Sequence, residues 1–388
     1  MIIKSILDSD LYKFSQMNAV AKLYPNAKVR YSFINRGQTL FPKGFAERLK
    51  EEINFMSSLK LGYDEEMYFK KCCPYLDPVY FDLLRGYRFD PDEVQINQLD
   101  GNLSVEIEGY WYKAILWEVP LLAIISELFY NTNISTQARA DAWLKSWDIH
   151  KQKAQSFDEL GVHVADFGTR RRYSFQNQCN LVEEFRKWTF FVGTSNVYLA
   201  FINNIKPIGT HAHEWFSFHA AKYGFHRANS ISLGRWVDVY KGDLGIALTD
   251  TFTTDDFFKS FDMMYAKLFD GVRHDSGDPV EFGYKAIEHY KKLRIDSMTK
   301  TIVFSDGLNY NSVAKIEQEM KGKIKTSYGI GTWLTNDIPG ITPLNIVIKM
   351  IAADPEGNGN WIPTIKLSDS ETKHTGDKDM IDLALKTI

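Results

Sequence analysis

The sequence predicts an α/β protein in two parts: a mixed α/β unit over residues 1–135 and a βα-barrel over residues 136–340. Three observations carry that expectation. Short apolar runs recur through the second part, and each ends in a polar or glycine-bearing signature. They are 162–165 before DFGTRRR, 205–208 before GTHAHE, 245–248 before TDT, 269–272 before RHDSGDP, 301–304 before SDGLN and 324–328 before GIGT. Helical stretches separate the runs, at 180–187, 214–223, 255–269, 280–293 and 312–320. Such alternation implies parallel strands joined by crossover helices. A loop without a ligand has no need of Arg, His and Asp at each strand exit, and a barrel gathers those exits on one face.

In the first part, Asp8 or Ser9 is placed to cap a helix running to about Tyr24, which Pro25 and Asn26 stop. Residues 28–34 (KVRYSFI) alternate as a strand. Two further strands, 102–108 and 111–118, flank Gly109 as a hairpin, and Pro120 opens an apolar helix. In the second part six strands are clear and 197–202 is a weaker candidate, short of a regular eight. An irregular barrel and a doubly wound open sheet both fit that count. Residues 344–350 and 362–367 read as strands joined by the turn-rich DPEGNGN, and the segment 341–388 is placed to pack back on the first part.

Bulk properties exclude more than they identify. The chain has 388 residues, 44% hydrophobic and 24% charged, enough for a large core. A net charge of −3 offers no electrostatic case for nucleic acid or an anionic membrane. The cysteines, Cys72, Cys73 and Cys179, make neither a metal spacing nor a disulfide framework, which fits a reducing, cytoplasmic setting. The opening MIIKSILDSD turns acidic too early for a signal peptide, and the apolar WEVPLLAIISELFY is too short to span a bilayer. Aromatic residues make up 14%, which suits either an aromatic core or a site that stacks flat rings.

Four constellations can carry chemistry, each with a plainer reading beside it. Gly329, Gly331 and Thr332 either approach an anion with backbone N–H groups or form a tight turn. Arg170, Arg171 and Arg172 either grip phosphate or carboxylate oxygens or lie on a solvated helix face; Phe167 before them is a core residue or a stacking platform. His211 and His213 are a metal-binding pair, an acid/base or nucleophilic group, or hydrogen-bonded core residues. Arg273 and Asp275 suit an anionic substrate and a metal, whereas Asp278 is read as a helix cap ahead of Pro279. Asp306 suits ribose hydroxyls or a turn. Together they suit a phosphorylated sugar and a flat ring.

An ordered series of segments resembles the nicotinate phosphoribosyltransferase family. It comprises DSDLYKFSQM at 8–17, YSFINRG at 31–37, WEVPLLAIISEL at 117–128, DFGTRRR at 166–172 and FVGTSNV at 191–197. It continues with PIGTHAHEW at 207–215, GVRHDSGDP at 271–279, SDGLN at 305–309 and SYGIGT at 327–332. The resemblance implies an irregular βα-barrel with an N-terminal α/β sandwich domain, and a homodimer with sites at the subunit interface. It implies that nicotinate and 5-phosphoribosyl-1-pyrophosphate give nicotinate mononucleotide and pyrophosphate. ATP hydrolysis would be coupled through a phosphohistidine, and Mg²⁺ would accompany the pyrophosphate without a direct protein ligand.

By the same resemblance His213 is the phosphorylated residue, Thr210 and Arg273 contact nicotinate, and Tyr12 reaches from the partner subunit to stack on the ring opposite Phe167. Arg170 meets phosphate, Asp275 and Asp306 face ribose and pyrophosphate, and Gly329, Gly331 and Thr332 hold the 5-phosphate. Related enzymes for nicotinamide place an acid within the segment matching 193–196. Here that segment holds Ser195 and no acid, which favours the anionic nicotinate. Two other readings are a metal-dependent hydrolase built on His211 and His213, and a catalytically silent phosphoribosyl-binding protein.

Overall fold

A computed structural model of the chain describes residues 1–388. Two sheets organise it. The first is antiparallel and contains β1 (Lys28–Asn35), β2 (Val94–Leu99), β3 (Asn102–Tyr110), β10 (Ile346–Asp354) and β11 (Ile362–Pro363), in the order β11-β10-β1-β3-β2. The second is parallel and contains β4 (Val164–Asp166), β5 (Phe191–Thr194), β6 (Ile246–Leu248), β7 (Gly271–His274), β8 (Thr301–Phe304) and β9 (Lys325–Ile330), in the order β5-β4-β9-β8-β7-β6.

The parallel sheet wraps as a barrel. From β6 each successive strand is added on the same side through β9; β4 pairs with β9, and β5 and the single bridge at Pro207 follow. With right-handed crossovers, an unreversed order puts all the helices on one outer face, whereas a doubly wound sheet reverses at a switch point. Hydrogen bonding does not close the ring. Between Pro207 and β6 the strands part, and Leu248 N–H reaches across only to His211 Nε2 at 3.2 Å. The apolar 205–208 run is therefore a bridge rather than a strand.

Local chemistry explains where the sequence reading needed correction. The hairpin turns at Asp100 and Gly101, with φ of 48° and 80°, the left-handed pair that an Asp-Gly hairpin uses. Gly109 lies inside β3, and residues 111–118 are largely helical, with Trp111 and Trp117 fully buried. Residues 197–202 form the helix Val197–Asn203, because the Asn196 side chain accepts from Leu199 N–H and caps it. The first helix is Leu11–Leu23 with Asp10 at its cap position; Asp8 is instead buried in an ion pair with Arg172. The stretch 255–269 breaks into Thr254–Ser260 and Met263–Leu268, the second capped by Asp262.

Two apolar helices join the sheets. Leu11–Leu23 is buried along most of its length, and its start is pinned to the barrel by Leu11 N–H donating to Ser195 O at 2.7 Å. Glu118–Asn133 is the second. With the helical turn before it, Trp111–Asn133 is long and apolar enough to cross a membrane, more than the sequence reading allowed. Burial of 83% of its most apolar window makes it a core helix of this fold.

Candidate active site

Three connected hollows lie where the parallel strands end and β10 crosses them. An aromatic slot of about 470 Å³ fills the parting between Pro207 and β6. Tyr12 and Phe167 line it with Arg170, Arg273, Ser195 and Thr210. A cleft of about 630 Å³ is walled by Arg36, Arg170, Arg171, Lys349, Lys366 and Lys373, against the carboxylates of Asp275, Asp306 and Asp337. Gly331 and Thr332 also border it. A narrow pit joins the two and holds His213, and Arg170 borders all three hollows. Six cationic groups against three carboxylates give the cleft a field suited to polyanions.

His213 opens the helix His213–Tyr223. Its Nδ1 lies 2.9 Å from Thr251 Oγ1, and its Nε2 lies 3.0 Å from Asp275 Oδ2 and 2.7 Å from Lys366 Nζ. Burial and the Lys366 ammonium push the imidazole down to about 4, against the upward pull of Asp250 and Asp275. The ring is therefore neutral at pH 7, with a nitrogen lone pair at the pit. Burial raises Asp275, but Arg273, the His213 hydrogen bond and Lys366 outweigh it and hold the carboxyl well below the usual range. Arg273 donates from Nε to Ser305 Oγ at 2.8 Å and from an Nη to Asp275 Oδ1 at 3.0 Å.

His213, Asp250 and Asp275 hold candidate ligand atoms within 4.8 Å of one another. Lys366 Nζ lies 3.3 Å from Asp250 and Arg273 sits on Asp275, so cations already neutralise this set. His211 is turned away, accepting from Leu248 N–H and packing on Trp236 and Phe216. A zinc site on the His211 and His213 pair therefore does not form, which removes the geometric basis of the hydrolase reading.

Other candidate residues separate into different roles. Arg170 and Arg171 face the hollows, whereas Arg172 is fully buried and bidentate to Asp8 at 2.7 and 2.9 Å, so the triple-arginine run is no solvated face. Gly329 belongs to the slot and not to a phosphate loop with Gly331: a Cβ there would fall 2.3 Å from the Phe167 ring, so the glycine seats that ring. Tyr12 reaches the slot from its own chain, since the Asp10–Asn196 bridge holds its helix on the barrel. Ser195 does not offer its proton to the slot; its hydroxyl donates to Asp10 Oδ1 at 2.7 Å. Asp306 is paired with Lys373 Nζ at 2.5 Å, and Asp278 caps the helix Pro279–Lys292 as read from sequence.

Sequence reasoning missed the lysines. Lys349 sits on β10, and burial lowers it to about 8. Lys366 and Lys373 come from the loop closed at its neck by the Lys366–Thr375 bridge. A lone lysine inside the apolar IVIKMI was the signal available for Lys349.

Burial also makes acid stability predictable. His150, His211 and His219 are pushed down to about 3 and His213 to about 4, mainly by desolvation. Unfolded histidine titrates near ~6.5, so below that pH the unfolded chain binds more protons than the native one. The stability from these groups is complete above about pH 6.5 and is lost progressively as pH falls toward their folded values. Thermal midpoints measured from pH 8 to pH 4.5 are expected to hold and then fall below about pH 6.5. Glu93 and Asp166, raised by burial to about 7 and about 6, oppose the histidines over part of that range, so it is a midpoint that rises as pH falls to 4.5 that would contradict the buried neutral assignment.

Comparison with known proteins follows the same geometry. The sequence profile of the nicotinate phosphoribosyltransferase (NAPRTase) family matches residues 162–387, and that of the NAPRTase N-terminal domain matches residues 7–126. The nicotinate phosphoribosyltransferase of Chromohalobacter salexigens is 51% identical over 390 residues, covering 100% of this chain and 98% of that protein. The one from Methanococcoides burtonii is 43% identical, covering 99% and 97%. The crystal structure of nicotinate phosphoribosyltransferase from Porphyromonas gingivalis superposes with a TM-score of 0.95 at 41% identity, covering 100% of this chain and 99% of that one. The Vibrio cholerae structure gives 0.91 at 34% identity, covering 100% and 93%.

Proposed function

The chain belongs to the nicotinate phosphoribosyltransferase family, and from that premise we propose that it joins nicotinate to 5-phosphoribosyl-1-pyrophosphate, giving nicotinate mononucleotide and pyrophosphate for NAD biosynthesis. The observation that carries the reading is the junction of an aromatic, arginine-bearing slot with a cation-walled cleft through the His213 pit. The slot takes the pyridine between Tyr12 and Phe167, with Arg273 and Arg170 as donors to its carboxylate and Thr210 at its edge. The cleft takes the phosphates, with Gly331 and Thr332 toward the 5-phosphate and Asp275 and Asp306 toward ribose and pyrophosphate.

Substitution at the anomeric carbon passes through an oxocarbenium-like state, as in glycoside chemistry. The pyridine nitrogen is already nucleophilic, so the residues' work is alignment and the stabilisation of departing charge. Lys349, Lys366, Lys373 and Arg170 supply that stabilisation. Mg²⁺ would ride on the pyrophosphate and add to it. Asp306 fits such a partner, since its carboxylate already holds the Lys373 ammonium. ATP hydrolysis is coupled through phosphorylation of His213, whose neutral ring has a lone pair to give. A homodimer with sites near the subunit interface and a cytoplasmic setting complete the reading; free Cys72, Cys73 and Cys179 support the latter.

Preference for nicotinate over nicotinamide rests on the two guanidinium groups, because the Ser195 hydroxyl is committed to Asp10. Purified protein with phosphoribosyl pyrophosphate, Mg²⁺ and ATP is expected to form mononucleotide from nicotinate and little from nicotinamide. Product chiefly from nicotinamide would overturn the specificity, and none from either would overturn the reaction.

A further inference from the structure

Three of the segments that carry the family resemblance contain a charged residue with no part in the proposed chemistry: Lys13, Glu118 and Glu214. The fold brings them together from sequence positions far apart. Lys13 Nζ lies 2.5 Å from Glu118 Oε2 and also pairs with Glu214 Oε1, and its side chain has no solvent exposure. Tyr31 donates its hydroxyl to Glu214 Oε2 at 2.6 Å. Glu118 and Glu214 border the His213 pit, and each of the three stands beside a residue that the proposed chemistry uses. Lys13 follows Tyr12, and its ammonium lies 5.4 Å from that ring's centroid. Glu214 follows His213 in the first turn of the same helix. Glu118 opens the helix Glu118–Asn133 and lies 3.9 Å from Arg170.

A buried ion cluster is a poor source of net stability, because desolvation offsets most of the Coulomb attraction. What it supplies is geometry: an ammonium between two carboxylates has few arrangements that satisfy all three groups. The two glutamates also sit in helical first turns, where the backbone dipole favours negative charge and orients it.

We propose that Lys13, Glu118 and Glu214 form a buried charge clamp that fixes Tyr12, Arg170 and His213 relative to one another, so that the ring slot and the histidine pit are built in one register. These are positioning residues, since none touches a reacting atom, and the turnover readout below rests on the proposed reaction.

The test uses the full chain with Lys13→Met, Glu214→Gln and the two combined. Lys13→Met is expected to lower kcat for mononucleotide formation about 100-fold, while KM for phosphoribosyl pyrophosphate rises less than about tenfold, because Arg170 is one of six cations on the cleft. In ¹³C-histidine-labelled protein the imidazole resonance that disappears in His213→Gln should move in Lys13→Met. The combined variant removes one of the two carboxylates stranded without Lys13 and leaves Glu118 with Arg170 at 3.9 Å, so it should regain much of the thermal midpoint lost in Lys13→Met without regaining kcat. Recovery of both would overturn the clamp and leave the cluster as a plain structural support. So would a Lys13→Met protein with unchanged kcat and an unmoved resonance. Wild-type protein that makes no mononucleotide, yet whose His213 resonance moves in Lys13→Met, would sink the reaction and keep the clamp.

Discussion

Arg273→Gln is expected to reduce kcat/KM for nicotinate by between roughly 10²- and 10⁴-fold, the equivalent of about 3–5 kcal/mol. Two losses combine. The slot loses a cation that meets an anionic ring substituent through a charge-assisted hydrogen bond. Asp275 loses the guanidinium at 3.0 Å that holds it ionised, which leaves a carboxylate in a site with little solvent. Steady-state kinetics should show KM for nicotinate rising more than KM for phosphoribosyl pyrophosphate, because the cleft keeps all six of its cations. Arg273→Lys is expected to recover only part of the rate, since an ammonium cannot reach Ser305 and Asp275 together as the planar fork does. Equal rises in both constants would show that Arg273 holds the fold and does not select the ring.

His213→Ala is expected to abolish stimulation by ATP and leave the slower ATP-independent formation of mononucleotide. The pit offers one neutral imidazole, with Thr251 on one nitrogen and Lys366 and Asp275 on the other, and no second histidine lines it. Radiolabelled phosphate from ATP should appear in acid-labile, base-stable form on the wild-type protein and be absent from the variant. Full ATP stimulation in His213→Ala would reject the phosphohistidine.

Much of the barrel and its rim is visible in the sequence, because a buried strand must be apolar and its exit need not be. Asp166, Asp250, Asp275 and Asp306 follow such runs, and the structure sets them at the ends of β4, β6, β7 and β8. Packing decided the rest. Residues 111–118 and 197–202 are rich in aromatic and β-branched residues, yet burial and an Asn196 cap make them helical. The Asp100-Gly101 turn was a stronger local signal than Gly109. Arg172 is indistinguishable from Arg170 and Arg171 in a run of three; only the position of Asp8, brought over by the first helix, separates it. Lys349, Lys366 and Lys373 escaped notice because they belong to no strand exit of the barrel.

The return of β10 to the first sheet has a consequence for how the protein is made. β1 lies between β3 and β10, and the register runs along its whole length, from Lys28 opposite Asp354 to Asn35 opposite Ile346. During synthesis β1 therefore waits with one bare edge until nearly the whole polypeptide has left the ribosome. At about 5–20 residues per second that wait is on the order of tens of seconds. An unpaired edge exposed for so long invites pairing with another nascent chain. The strand that ends the wait is also the one bearing Lys349, so a product truncated before it would lack both a complete sheet and a wall of its cleft.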